Sequence, residues 1–212
     1  MKNLIIIGAR GFGREVYIWA TLNADYRVKW DIKGFLDDDE KALDDLPYPV
    51  PILSSVEEYV IQSEDVFICA LGSTEHKKKY AEIISNQGGE FINLIHPSVI
   101  ITGYLNIGQG VIISANCMIS TDCTIEDFVS IQPFSILGHD VKVGKWCHLG
   151  AYSFVGGKTV IQEGVTVHTR ATIIPGLLIE REAVIGVGSV VLKNVPSRIT
   201  VFGNPARIFK LG

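Results

Sequence analysis

From Ile95 to Val191 an aliphatic residue returns at every sixth position without a gap. Four residues after each member stands a second, mostly smaller set, running from Val99 through Cys117, Cys123, Ser135, Cys147, Ser153, Thr159 and Ala171 to Val195. A period of six suits neither a helix nor sustained strand alternation, but it does suit a parallel β-helix of hexapeptide repeats. Each hexad is then one short strand and a turn, and three hexads close a coil, so residues eighteen apart stack. Successive coils bury one another's aliphatic edge. Glycine directly follows the aliphatic member at 108, 138, 144, 150, 156 and 186.

The first 94 residues carry a different pattern. Asn3-Leu4-Ile5-Ile6-Ile7 predicts a short buried strand, and Gly8-Ala9-Arg10-Gly11-Phe12-Gly13-Arg14 turns it into a helix to about Leu22. A second strand is expected near Val28–Leu36, ending in Asp37-Asp38-Asp39; Pro47, Pro49 and Pro51 mark a loop. A short helix over Ser54–Gln62, a buried strand over Asp65–Leu71 and a helix capped by Gly72-Ser73-Thr74 and running through Ser85 follow. Gly88-Gly89 ends that helix, and Phe91–Ile95 leads into the first coil without a linker. The fold expected is a Rossmann-like α/β domain over residues 1–94, then an all-β parallel β-helix over 95–212 with a closing strand at Ile199–Phe202.

Composition narrows the class. Hydrophobic residues make up 47% of the chain, yet no apolar run approaches eighteen residues. A large core is therefore expected, and no membrane insertion. The run Leu4–Ile7 is too short for a signal peptide, which makes the cytoplasm the default location. Net charge of −4 argues against a non-specific nucleic-acid binder. Cys117, Cys123 and Cys147 fall in the small inward slot on different stacked columns, and Cys69 lies in an apolar run, so all four are expected as buried thiols. No cysteine or histidine spacing suggests a metal.

Candidate chemistry follows from position. A strand, a glycine-rich turn and a helix can bring backbone N–H groups to a phosphate, although GxxGxG is not the dinucleotide fingerprint, and the glycines could serve the turn alone. The acidic cluster after the second strand sits where open α/β sheets bind ligands, or is a solvated turn. Lys77, Lys78 and Lys79 at a helix start await an anion or form a wet surface, the second being favoured. His139 falls two places after Leu137, outside both inward slots, and Asp140 follows it. A carboxylate beside imidazole fixes its tautomer, which equips a general base; an idle surface histidine is the alternative. Gly157, eighteen residues on, should stack over His139, as an oxyanion donor or as a turn glycine. His148 lies half a coil away, so the two histidines share a site only across neighbouring chains. His96 and His168 are assigned to structure and His76 to the helix surface.

The stretches GARGFGREV at 8–16, GFLDDD at 34–39, ALG at 70–72, IHPS at 95–98, GHD at 138–140 and VFGNPAR at 201–207 together resemble the NeuD/PglD-type bacterial sugar acyltransferases, across nearly the whole chain. The resemblance implies a left-handed β-helix, a homotrimer, and acetyl-CoA in the cleft between adjacent helices. It implies His139 as base, Asp140 as its orienting partner and the Gly157 amide on the thioester carbonyl. It places His148, Gly157, Asn204, Pro205 and Arg207 at acetyl-CoA. A nucleotide-sugar is implied at Gly8, Arg10, Gly11, Phe12, Gly13, Arg14, Asp37, Asp38, Gly72 and Gln132. Two positions depart from the family: Phe12 replaces a common histidine in the glycine turn, and Gln132 an asparagine before the catalytic histidine. The expected activity is N-acetylation of a nucleotide-linked amino sugar by direct attack on acetyl-CoA, without a metal. A sugar O-acetyltransferase of the sialic-acid type and a non-catalytic trimeric scaffold or sugar-binding module are the alternatives.

Overall fold

The computed structural model describes residues 1–209, as two compact units, Met1–Pro97 and a second starting at Ser98. In the first unit β1 (Lys2–Ile7), β2 (Trp30–Leu36), β3 (Ile52–Ser54), β4 (Asp65–Cys69) and β5 (Glu90–Phe91) form one parallel sheet of order β3-β2-β1-β4-β5. Two helices, α1 (Gly11–Thr21) and α2 (Thr74–Asn86), follow β1 and β4. Strand order reverses beside β1, the place where such sheets bind ligands off their C-terminal ends. Leu4, Ile5, Ile6 and Ile7 are buried, as a strand covered on both faces requires. A Cβ on Gly13 would overlap the Gly8 carbonyl, so α1 can close on the turn only with glycine there. Ser73 caps α2 by accepting the His76 N–H.

Two expectations fail here. Residues 55–62 hold a single turn at 56–58 and otherwise no regular structure, not a helix. Ser55 Oγ caps one turn at Glu58 N, and Tyr59 and Gln62 are drawn onto Asp65, leaving too few residues to repay helix nucleation. Lys77 is 1% exposed rather than wet, because the 77, 81, 84 spacing puts it on the inward face of α2 with Ala81 and Ile84.

Buried Asp65 holds the opposite end of this unit together. It accepts from Asn3 Nδ2 at 3.0 Å, Lys33 Nζ at 3.1 Å, Tyr59 OH at 2.7 Å and the Gln62 amide at 2.8 Å. Burial alone would raise its pKa, but these donors outweigh burial and hold it below the usual carboxylate value.

The second unit is a parallel β-solenoid. Two-residue strands recur every six residues, and each pairs in register with the strand eighteen residues away, as in Ile136↔Phe154 and Leu137↔Val155. The inward aliphatic set is at most 2% exposed from Ile113 to Val191. Ile101 is 40% exposed, since a terminal coil has a neighbour on one side only. The small inward slot has a second use: Cys117, Cys123 and Cys147 each point a thiol at a carbonyl fifteen residues on, at 3.0–3.2 Å, and Ser135 does the same at 3.0 Å. All four cysteines are free and buried. Burial pushes the Cys69 thiol up to about 12 and that of Cys117 to about 11. Three residues after each inward aliphatic the backbone commonly turns left-handed, at Asp122, Phe134, Asp140, Tyr152 and Lys158 among others. Thr200–Phe202 closes the solenoid, and Arg207–Ile208 pairs antiparallel with it. Among the described residues no helix is long and apolar enough to cross a membrane.

Candidate active site

A cavity of about 250 Å³ opens off the C-terminal ends of the first unit's strands, lined by Gly8, Asp37, Asp38, His76 and Tyr80 with apolar neighbours. The acidic cluster is not one solvated patch, because its members have separate duties. Asp37 Oδ2 accepts the Ala9 N–H at 2.8 Å and its Oδ1 that of Asp39, so Asp37 ties the glycine turn to its own loop. Arg10 pairs with Asp39 at 2.8 Å. Asp38 faces the cavity, where Tyr80 OH donates to it at 2.6 Å. The hydrogen bond to Asp38 and burial raise the Tyr80 pKa far above its usual value, so this hydroxyl stays a donor. Phe12 packs edge-on to Trp19, 6.1 Å between centroids. Gly11 and Gly72 have open space where a Cβ would stand. Arg14 is half-buried on α1.

His76 and Tyr80 were not foreseen as cavity residues. Their spacing of four on a helix that starts at the strand's C-terminal end was the available signal.

In the solenoid the His-Asp pair forms as spacing suggested. Asp140 sits at a left-handed corner (φ 59°), a conformation aspartate tolerates, and its Oδ2 lies 2.7 Å from His139 Nδ1. Both side chains are half exposed. In the neutral tautomer that gives Nδ1–H to the carboxylate, Nε2 carries the lone pair. Gly157 stacks over His139: a Cβ there would stand 2.7 Å from Nε2, so glycine is what lets the imidazole lie across the next coil. Gly157 is buried, and its N–H meets no acceptor among the described residues. The His139 imidazole and the Gly157 amide therefore share one corner.

Other expected site residues are not gathered at this corner. His148 is half-buried in a strand of another face, and Gln132 follows the strand below it in the same face, so neither joins His139 within one chain. Arg207 lines a separate cavity of about 430 Å³ with Lys193, Asn194 and Pro196 at the closing end, while Asn204 and Pro205 form the exposed turn beside it. Among the described residues no His, Cys, Asp and Glu group could hold a metal ion.

A hexapeptide solenoid with an exposed His-Asp pair under a stacked glycine, attached to a small doubly wound α/β unit, defines an acyltransferase of the hexapeptide class. The PglD N-terminal domain matches residues 3–84, and the GMPPB C-terminal domain matches residues 92–185. A GDP-perosamine N-acetyltransferase of Escherichia coli O157:H7 is 34% identical over 150 residues, covering 68% of this chain and 67% of that protein. A UDP-N-acetylbacillosamine N-acetyltransferase of Bacillus subtilis is 31% identical, over 54% of this chain and 52% of that protein. Among solved structures, a mutant perosamine N-acetyltransferase from Caulobacter crescentus in complex with CoA and GDP-perosamine superposes with a TM-score of 0.89 at 24% identity, over 99% of this chain and 98% of that one. The acetyltransferase domain of PglB from Neisseria gonorrhoeae, in complex with acetyl coenzyme A, does so at 0.88 and 23% identity, over 98% and 99%. The chain belongs to the NeuD/PglD-type sugar acetyltransferases.

Proposed function

We propose that this acetyltransferase moves the acetyl group of acetyl-CoA to the amine of a nucleotide-linked amino sugar. The observation that carries the chemistry is His139, held through Nδ1 by Asp140 and sharing a corner with the open amide of Gly157. His139 Nε2 takes a proton from the acceptor nitrogen as that nitrogen forms a bond to the thioester carbon. The Gly157 N–H holds the carbonyl oxygen as charge collects on it. The C–S bond then breaks, the sulfur leaves as thiolate, and the proton on His139 is free to neutralise it. Asp140 acts as a positioning residue, steadying the charged imidazole. Support for the acceptor comes from the two curated relatives named above, both N-acetyltransferases with amino-sugar names.

The nucleotide-sugar is assigned to the cavity of the first unit, with the glycine turn and Arg14 toward the diphosphate and Asp38 toward the base. Arg10, held by Asp39, must exchange partners to join them. Lys193 and Arg207 give the closing-end cavity two cations suited to the phosphates of acetyl-CoA. The outward residues Ile100, Met118, Ile136 and Phe154 stack as one stripe, each at least 39% exposed. That apolar stripe, ending at the corner that carries His139, supports a homotrimer in which neighbours supply His148 and Gln132 to each other's sites. A cytoplasmic location goes with acetyl-CoA as donor.

The test is thiol release from acetyl-CoA across GDP-, UDP- and dTDP-linked 4-amino sugars, their hydroxyl counterparts and free sialic acid. Turnover confined to nucleotide-linked amines is expected; equal rates with the hydroxyl sugars or sialic acid would overturn the reading.

A further inference from the structure

The repeat itself explains why the Gly157 amide is available. The second residue after each inward aliphatic stands at a corner, and its N–H can be capped from the coil before. Lys145 N–H donates to Glu126 Oε2 at 3.1 Å, and Arg181 N–H to Gln162 Oε1 at 3.1 Å. In both cases the cap is the residue nineteen places earlier, the one directly after an inward aliphatic. Nineteen places before Gly157 stands Gly138. A Cβ on Gly138 would lie 2.5 Å from Gly157 N, too close without a small backbone shift, so glycine lets the next coil pack here and also leaves no side chain beside that amide.

Resting on the acetyl-transfer reading, we propose that Gly138 is a positioning residue whose missing side chain keeps the Gly157 N–H open for the thioester oxygen. A buried amide without an acceptor costs free energy in the resting protein. The repeat has a remedy, used at Lys145 and Arg181, and this corner, like the others with glycine in that slot, goes without it. The two glycines divide the work. Gly157 lacks the Cβ that would push the imidazole away; Gly138 lacks the side chain that would fill the donor.

Gly138→Gln supplies the oxygen that Gln162 supplies to Arg181. Its kcat is expected to fall about 10²-fold, the loss typical of one oxyanion donor. Binding of CoA, which has no acetyl carbonyl, should stay within about twofold of wild type. Gly138→Ala adds the Cβ without an acceptor and should lose less than about a tenth of that factor. Gly144→Gln places the same side chain in the same slot at the next corner and should leave kcat unchanged. Infrared spectra of bound acetyl-CoA labelled with ¹³C at the carbonyl provide a direct readout: the carbonyl band shifts down in wild type and returns toward its free position in Gly138→Gln. Should Gly138→Gln misfold by circular dichroism, Gly138→Glu, with the carboxylate Glu126 uses, takes its place. The proposal falls if a folded Gln or Glu variant keeps wild-type kcat and band position, or if Gly138→Ala loses as much as Gly138→Gln. His139→Ala measured alongside separates the two levels. An inactive His139→Ala beside an unaffected Gly138→Gln removes only the role of Gly138, whereas a fully active His139→Ala removes the acetyl-transfer chemistry beneath it.

Discussion

The two units treat the backbone amides of their glycine turns in opposite ways. After β1 the Ala9 N–H is taken by Asp37, a residue twenty-eight positions away whose arrival depends on the whole sheet. At the solenoid corner the Gly157 N–H is left open, and the condition for this is a second glycine in a fixed slot of the repeat. In the α/β unit this turn amide is satisfied by one particular distant carboxylate. In the solenoid the corners repeat one position, and at Lys145 and Arg181 the side chain nineteen residues earlier caps its amide.

This contrast also governs how far the chain can be read. The six-residue beat located the stacking of Gly157 over His139, the His139–Asp140 pair, the buried thiols and the separation of His148, because in a repeat the phase of a residue is its position in space. The first unit has no such ruler. Arg10 looked like charge kept for a diphosphate, yet Asp39 holds it; the Asp37 carboxylate looked available, yet two amides hold it. Lys77 is the exception, since its spacing with Ala81 and Ile84 already marks the inward face of α2. His76 was assigned to the helix surface, and only the sheet's geometry shows that this surface borders a cavity.

If stability in the first unit rests on singular polar clusters, removing one should be costly. Asp65→Ala leaves Lys33, Tyr59 and Asn3 facing a buried gap and is expected to destabilise by about 3 kcal/mol or more, the cost of breaking a buried pair, measured by urea denaturation. Its acid dependence sharpens the point. The folded pKa lies below the unfolded value of about 3.9, so Asp65 contributes fully above that value and the contribution is lost as pH falls through the folded pKa. Stability of Asp65→Ala should therefore fall less steeply with acid than wild type. In the solenoid the matching deletion should be mild. Ser135 Oγ bonds the Gly150 carbonyl and receives Ser153 Oγ, but neighbouring coils repeat the packing around it. Ser135→Ala is expected to cost about 1 kcal/mol. Equal losses in the two variants would erase the contrast between singular and repeated construction.

The most direct measurement of the central claim is single-turnover acetyl transfer by His139→Ala, with acetyl-CoA affinity measured on the same protein. The rate of the chemical step should fall at least about 10²-fold, within the range general-base catalysis supplies, while the dissociation constant of acetyl-CoA stays close to wild type. A variant that transfers acetyl at the wild-type rate would contradict the account and take His139 out of the mechanism.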